Sequence, residues 1–394
     1  MSWPLVKLTE VAEVNPRCPK DIDEDQIVSF VAMASASEAG LLLGEELKVL
    51  KDTKKGFTYF ERGDVLLAKI TPCFENGKTL RPYQIKNQVG FGSTEFHVVR
   101  ADLEKLDPTY LFYLLWSDAF RFLGTNAMAG AAGQKRVGTP FLKQLEIPLP
   151  PLDEQKRIAA ILDKADAIRQ KRKQAIDLAD EFLRSVFLDM FGDPVTNPKG
   201  WDVKRLEELI SEGDKLNYGV VQPGDDDENG VPLVRSGDLY DSGTPLSKVR
   251  RVSSSVDEKH RKSRLKGNEI LIACVGSIGK VGWVDESMVG WNIARAVTRI
   301  PLKDSVNREY IFRYLQSPVI QGYFQKETRA VAQPTLNVGL ISKTPIALPP
   351  QEQQDEFLKV HNKVNSFKQN AIVKSKHMDE MFKSLSQKAF SGQL

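Results

Sequence analysis

Two stretches of this chain carry apolar residues at alternating steps of three and four. In residues 154–192 they are Ile158, Ile161, Ala165, Ile168, Ala175, Ala179, Phe182 and Val186. In residues 352–390 they are Phe357, Val360, Val364, Phe367, Ala371, Met378, Met381 and Leu385. That recurrence draws one apolar stripe along a helix, and its length makes a coiled-coil-like seam. Charged residues fill much of the remainder, as in Arg169-Gln170-Lys171-Arg172-Lys173. Arg172 and Lys374 interrupt the two seams, and Gly192-Asp193-Pro194 is a stop signal for the first. At ~1.5 Å per residue each helix would be roughly 58 Å long. A helix so long and so charged is unstable alone, so each seam needs a partner. The two are expected to pack antiparallel on each other as a rod.

Before the first helix the period changes. Gln26–Val31, Asp64–Ile70 and Phe96–Val99 read as strands, the second entered by Gly63 and stopped by Pro72. From Pro108 to Leu123, residues Tyr110, Leu111, Leu114, Leu115 and Ala119 predict a helix with Pro at its start. Strands without regular βαβ alternation indicate a mixed α/β (α+β) domain rather than a doubly wound one.

The chain then repeats itself. Trp3-Pro4-Leu5-Val6-Lys7-Leu8 matches Trp201-Asp202-Val203-Lys204-Arg205-Leu206, and Gly77-Lys78 matches Gly279-Lys280. Tyr110–Ser117 matches Tyr310–Ser317. Ile147-Pro148-Leu149-Pro150-Pro151 matches Ile346-Ala347-Leu348-Pro349-Pro350. Two copies are too few for a solenoid, which needs about three stacked units. The expected organisation is a first domain (1–150), a long helix (151–193), a second domain (194–350) and a second long helix (351–394). That is a pseudo-twofold molecule of two similar globular domains separated by two antiparallel helices.

Composition adds bounds. With 394 residues, 27% charged and 41% hydrophobic, the chain is of ordinary globular make-up. No apolar run reaches ~18 residues and the start lacks a signal-peptide pattern, so no membrane span and a cytoplasmic location are expected. Cys18, Cys73 and Cys274 form neither a disulfide framework nor a zinc pattern. The net charge of +3 is uninformative, but Lys248 to Lys266 holds eight basic residues against Asp257 and Glu258. Such a run can neutralise phosphates.

Catalytic motifs fail on inspection. Cys274-Val275-Gly276-Ser277-Ile278-Gly279-Lys280 lacks the first Gly and the final Ser/Thr of a phosphate loop. Asn15-Pro16-Arg17 and Asn197-Pro198-Lys199 lack the second proline and aromatic that an adenine methyltransferase uses. Glu75-Asn76-Gly77-Lys78 has the wrong spacing for a magnesium nuclease, and His97, His260, His361 and His377 show no metal spacing.

What remains points to binding. Ala132–Val137 and Ala332–Asn337 are matched small, polar loops just before each Pro-Pro hinge. Gln and Asn can read adenine and Arg can read guanine. The candidate DNA contacts are Lys69, Lys78, Arg81, Gln134, Lys135 and Arg136 in the first copy. In the second they are Arg235, Arg261, Arg264, Lys280, Arg295, Gln333, Thr335 and Asn337.

These segments together resemble the specificity subunits of type I restriction–modification enzymes, over essentially the whole chain. The resemblance rests on Gln333-Pro334-Thr335-Leu336-Asn337, on Gly276–Gly282, on Trp201–Leu206 and on the two Pro-Pro segments, the first running on to Asp153-Glu154-Gln155-Lys156-Arg157-Ile158. It implies a non-catalytic subunit whose two domains each read half of a bipartite site in double-stranded DNA. The helices would set the spacer; a roughly 58 Å rod equals about 17 base pairs. They would also dock two modification subunits, through Ile158, Ile161, Ile168, Phe182, Phe357, Val364, Phe367 and Leu385. Restriction/motor subunits would join, and S-adenosylmethionine, ATP and Mg would be bound by the partners, none by this chain. The first copy departs from the pattern at Gly133-Gln134-Lys135-Arg136-Val137 and at Thr71-Pro72-Cys73-Phe74-Glu75. The alternatives are a coiled-coil adaptor for proteins and a self-contained methyltransferase.

Overall fold

A computed structural model describes residues 3–131, 133–193, 196–328 and 335–394. The chain forms two compact units, Met1–Gln174 with Ile372–Leu394, and Ala175–Ala371.

The first unit is built around the strand Val65–Ala68, buried along its whole length. It lies between Phe96–Ala101 and Thr79–Leu80 in a four-stranded antiparallel sheet closed by Ala12–Val14. Side chains alternate across a strand, and here both faces are covered. Val65 and Leu67 join a cluster with Tyr110, Leu111 and Leu115 of the helical layer. Leu66 and Ala68 face Val31, Phe60 and Leu80 instead. Val31 and Phe60 belong to a second four-stranded sheet, in which Ile27–Val31 pairs in parallel with Val89–Gly92.

The second unit repeats the arrangement. Glu269–Ala273 is fully buried and pairs with Val297–Pro301 and Val281–Trp283. Ile270 and Ile272 point to the helices, while Leu271 and Ala273 point to Val234, Leu239 and Ile293. Each central strand is entered through a turn held by a buried acid. Asp64 accepts from the Glu61 amide at 2.7 Å and from Arg100 at 2.8 and 2.9 Å. Glu269 accepts from the Lys266 amide at 2.9 Å and from Arg299 at 2.7 Å.

The helix expected over 108–123 is two helices, Pro108–Trp116 and Asp118–Asn126. Asp107 caps the first; Ser117 sits extended and caps the second through the Phe120 amide. A serine able to cap competes with continuing the helix. In the second unit Arg308–Gln316 and Pro318–Thr328 break at Ser317, where Pro318 forces its predecessor out of helical geometry.

The long helices are Leu152–Phe191 and Gln351–Ser391. Within the first unit Arg169 bonds Asp379 at 2.7 Å and Arg157 reaches the Leu394 carbonyl at 3.1 Å. Within the second, Lys368 pairs with Asp180 and Phe357 packs on Phe187 and Phe191. In both units rising numbers on one helix meet falling numbers on the other, so the packing is antiparallel.

A buried glutamine fixes each helix start. Gln155 Nε2 donates to the Lys105 and Pro150 carbonyls, both at 2.9 Å, and its Oε1 accepts from the Asp107 amide at 2.8 Å. Gln354 donates likewise to Pro349 at 2.8 Å. Gln155→Leu would strand three polar groups. We expect it to lower unfolding free energy by about 2–4 kcal/mol, read as a lower urea midpoint; a loss under about 0.5 kcal/mol would contradict this role.

Candidate nucleic-acid interface

Both central strands end on the same backbone lacing. In the first unit the Lys69 amide donates to Glu95 O at 2.9 Å and Lys69 O accepts from the Val137 amide at 2.8 Å. In the second, the Cys274 amide donates to Ala296 O at 2.7 Å and Cys274 O accepts from the Leu336 amide at 3.0 Å. Three loops from distant parts of the sequence are thereby tied into one ridge. The lacing also corrects the alignment of the matched loops by one residue. Val137 is equivalent to Leu336, so Arg136 stands where the second copy has Thr335, and Glu95 where it has Ala296.

The Gly-Lys match holds. Lys78 O accepts from the Ala68 amide and Lys280 O from the Ala273 amide, at 2.9 and 2.8 Å. Gly77 and Gly279 have φ of 78° and 81°. A Cβ on either would lie against Arg121 or Gln321 of the adjacent helix. In the second unit the ridge gains another segment, because the Arg295 amide donates to Val220 O at 2.8 Å. Gly219 permits this approach, since a Cβ there would lie 1.7 Å from Ile293 O.

The candidate residues therefore divide. Lys69, Lys78, Gln134, Lys135 and Arg136 lie on the first ridge. Lys280, Arg295 and Thr335 lie on the second, and Gln333 lies outside the described residues. Arg295 is exposed, and its guanidinium makes no ion pair among the described residues. Lys280 is exposed, 3.5 Å from Gly237 O and 5.4 Å from the Tyr240 ring centroid. Arg235 adjoins the second ridge through Val234, whose carbonyl accepts from Ala294, but its fork is closed on Asp238 at 2.8 and 3.2 Å.

Four of the expected contacts are engaged within the chain. Arg81 is turned inward, paired with Asp163 of the first long helix at 2.8 Å and stacked 4.6 Å from the Phe112 ring. Arg264 is held by Asp257 and Glu258. Asn337 is spent as a helix cap, its Oδ1 accepting from the Leu340 amide at 2.9 Å. Part of the basic run is also tied down: Arg250 and Arg251 bond the carbonyls of Gly224 and Gly230, and Lys266 bonds Asp214. Arg261 remains 69% exposed, 3.7 Å from Glu258. Among the expected docking positions, Ile158 and Phe357 are buried in the cores of their own units. Ile161, Val364 and Leu385 are half-buried. Ile168, Phe182 and Phe367 are 38%, 51% and 57% exposed.

Sequence reading missed Glu95 and His97. Glu95 grips Arg136 through Nε and Nη2, at 3.0 and 2.8 Å. That bond holds the Glu95 carboxyl below its usual pKa. His97 is 3% exposed. Its Nε2 lies 2.8 Å from Val137 O, and a carbonyl only accepts, so Nε2 carries the proton. Nδ1 then accepts from Asn15 Nδ2 at 3.2 Å, while Asn15 Oδ1 takes the Val98 amide at 3.0 Å. The imidazole thus pins the loop before Val137 to the sheet. The equivalent second-unit residue is Thr298, beside Cys274 at 3.0 Å.

Among the described residues no cluster of His, Cys, Asp and Glu could hold a metal ion, and no helix is long and apolar enough to cross a membrane.

Comparison with known proteins gives a consistent result. The family model described as the type I restriction modification DNA specificity domain matches twice, over residues 2–178 and 198–374. The chain belongs to that family. It is 29% identical to the EcoBI specificity subunit of Escherichia coli, covering 68% of this chain and 62% of that one. It is 37% identical to the EcoAI specificity subunit of the same organism over 47% of this chain and 32% of the relative. It therefore spans less than two thirds of these relatives' length, whereas with the E. coli EcoEI subunit the match is 26% over 95% of this chain and 81% of the relative. One chain of a type I R-M system, solved for its complex assembly and conformational transition, superposes with a TM-score of 0.62 at 20% identity, over 100% of this chain and 98% of that one. The type I restriction–modification S subunit from M. genitalium gives 0.53 at 13%, over 98% and 96%. At these identities the structural likeness is one of fold.

Burial, the largest effect, lowers the His97 pKa; the Val137 bond and Glu95 oppose it, and Lys69 adds to it. A lowered folded pKa means that the unfolded chain takes up this proton first. Stability should fall as pH drops through about 6.5, the unfolded value, until the folded pKa is reached. His361 carries the same sign. His97→Gln should therefore lose less melting temperature than wild type between pH 7.5 and 5.5, though not become flat. An equal loss would show that His97 already titrates normally.

Proposed function

We propose that this chain is the DNA-specificity subunit of a type I restriction–modification system. Each unit reads one half of a bipartite, asymmetric site in double-stranded DNA through its ridge. The long helices set the distance between the half-sites and dock two methyltransferase subunits, using Ile168, Phe182 and Phe367 as apolar contacts. The chain itself is non-catalytic. S-adenosylmethionine belongs to the methyltransferase partners, and ATP and Mg to the motor-nuclease subunits that complete the system.

The observation that carries this reading is the duplicated ridge. Two copies of one backbone frame present different side chains at equivalent positions, which suits two unlike half-sites. An enzyme acting on one small substrate has no need of that. Target adenines would be flipped out of the duplex into a partner's pocket.

The test is a methyladenine map of the host genome with and without this gene. Loss of one bipartite, asymmetric motif on deletion is expected. Exchanging residues 1–150 for those of a relative should then change one half of the motif and leave the other intact. If no methylated motif depends on the gene, and the chain mixed with its methyltransferase subunits selects no sequence from a random duplex library, an adaptor role replaces this one.

A further inference from the structure

We propose that Arg136 reads a guanine in the half-site of the first domain, and that Glu95 is the positioning residue that sets its guanidinium for that purpose. The inference rests on the function proposed above and names the base that one side chain recognises.

It begins with a count of donors. A guanidinium has five N–H groups. Glu95 takes Nε and one on Nη2, through contacts at 3.0 and 2.8 Å, with a third at 3.2 Å from Nε to the other oxygen. The Gln134 carbonyl takes one on Nη1 at 3.1 Å. One N–H on each terminal nitrogen is left unused. An N–H from each terminal nitrogen is what a fork on O6 and N7 of the major-groove edge of guanine requires. The Arg136 side chain stays 43% exposed, so it is within reach of a ligand.

Charge decides against the simpler role. A phosphate contact works by adding positive charge and releasing counterions. Here the Glu95 carboxylate sits within bonding distance and cancels most of that charge. What survives is direction: two N–H vectors in one plane, held from behind. That arrangement is poor for phosphate and good for a base edge. The frame holding it is itself rigid, because the Lys135 carbonyl accepts from the Thr71 amide at 3.0 Å and the next residue but one, Val137, is tied to both Lys69 and His97. The second domain has Ala296 and Thr335 at these two places, so this reader belongs to one half-site alone.

The experiment selects duplexes from a random library with the full chain assembled with its methyltransferase subunits. It compares wild type with Arg136→Lys, which keeps charge but loses the fork, and with Glu95→Gln. Wild type is expected to require guanine at one position of one half-site. Both variants should lose about tenfold or more of that discrimination, the scale of a single fork contact, with every other position unchanged. An unchanged motif for a folded Arg136→Lys, with binding weakened evenly across sequences, overturns the assignment and leaves the proposed function standing. A wild-type motif without guanine in either half does the same. Should Arg136→Lys melt below the working temperature, Glu95→Gln decides by the same criterion. Failure of wild type to select any bipartite motif sinks the functional reading, and this assignment with it.

Discussion

The constraint on which the structure depends is a strand with no exposed face. Val65–Ala68 and Glu269–Ala273 bury every side chain, successive apolar positions facing the helices and a second sheet in turn. Each such Val, Leu or Ile contributes about 1.5–3 kcal/mol, and a slip of one residue would reverse both faces at once. Register is therefore fixed, and so is the point where each strand ends. The next residue, Lys69 or Cys274, is the one to which the other ridge loops are tied. Core packing thus places the surface that would meet DNA, and Val137, Cys274 and Leu336 of the ridges share in that packing.

Polar groups close the same frame. Asp64 and Glu269 would be costly where they are if unpaired; Arg100 and Arg299 meet them, and losing either partner would cost about 3–5 kcal/mol. Gln155 and Gln354 do the corresponding work at the helix starts, joining the Pro-Pro hinges to the helices. In both units the same geometry is delivered by buried polar contacts: the glutamine is common to both, while the acid and its arginine differ in detail. Asp and Glu alternate at one, and the Arg comes from different strand positions opposite.

Much of this was legible in the sequence because the signals are local. The seams of the long helices, the Pro-Pro hinges and the Gly-Lys turns repeat within a few residues, and the structure holds them. The break at Ser117 was missed because apolar spacing continues through it, whereas the cap that ends the helix is a single side chain. The internal partners of the candidate arginines were missed for a related reason. An arginine's type is local, but its partner is not. Arg81 meets Asp163, Arg264 meets Asp257, and Arg136 meets Glu95. Only for Arg264 is the partner a near neighbour in sequence. The one-residue shift between the matched loops could not be seen either, since it is set by backbone bonds to Lys69 and Cys274 rather than by any side chain.

That pairing has a consequence for how such a chain would handle DNA. Four of the six candidate arginines are answered from within: Arg81, Arg136, Arg235 and Arg264 each hold a carboxylate, and the net charge is only +3. Gathering phosphate then falls to the ridge lysines and Arg295, so non-specific affinity, which scales with the phosphates neutralised, is lower than the count of candidate cations would give. Directional N–H groups are kept instead. A subunit built this way would discriminate well and bind weakly, and strong binding would have to come from whatever else closes around the duplex. The division of labour proposed for the partners would suit this balance: specificity held where arginines are pinned, and affinity added from outside the chain.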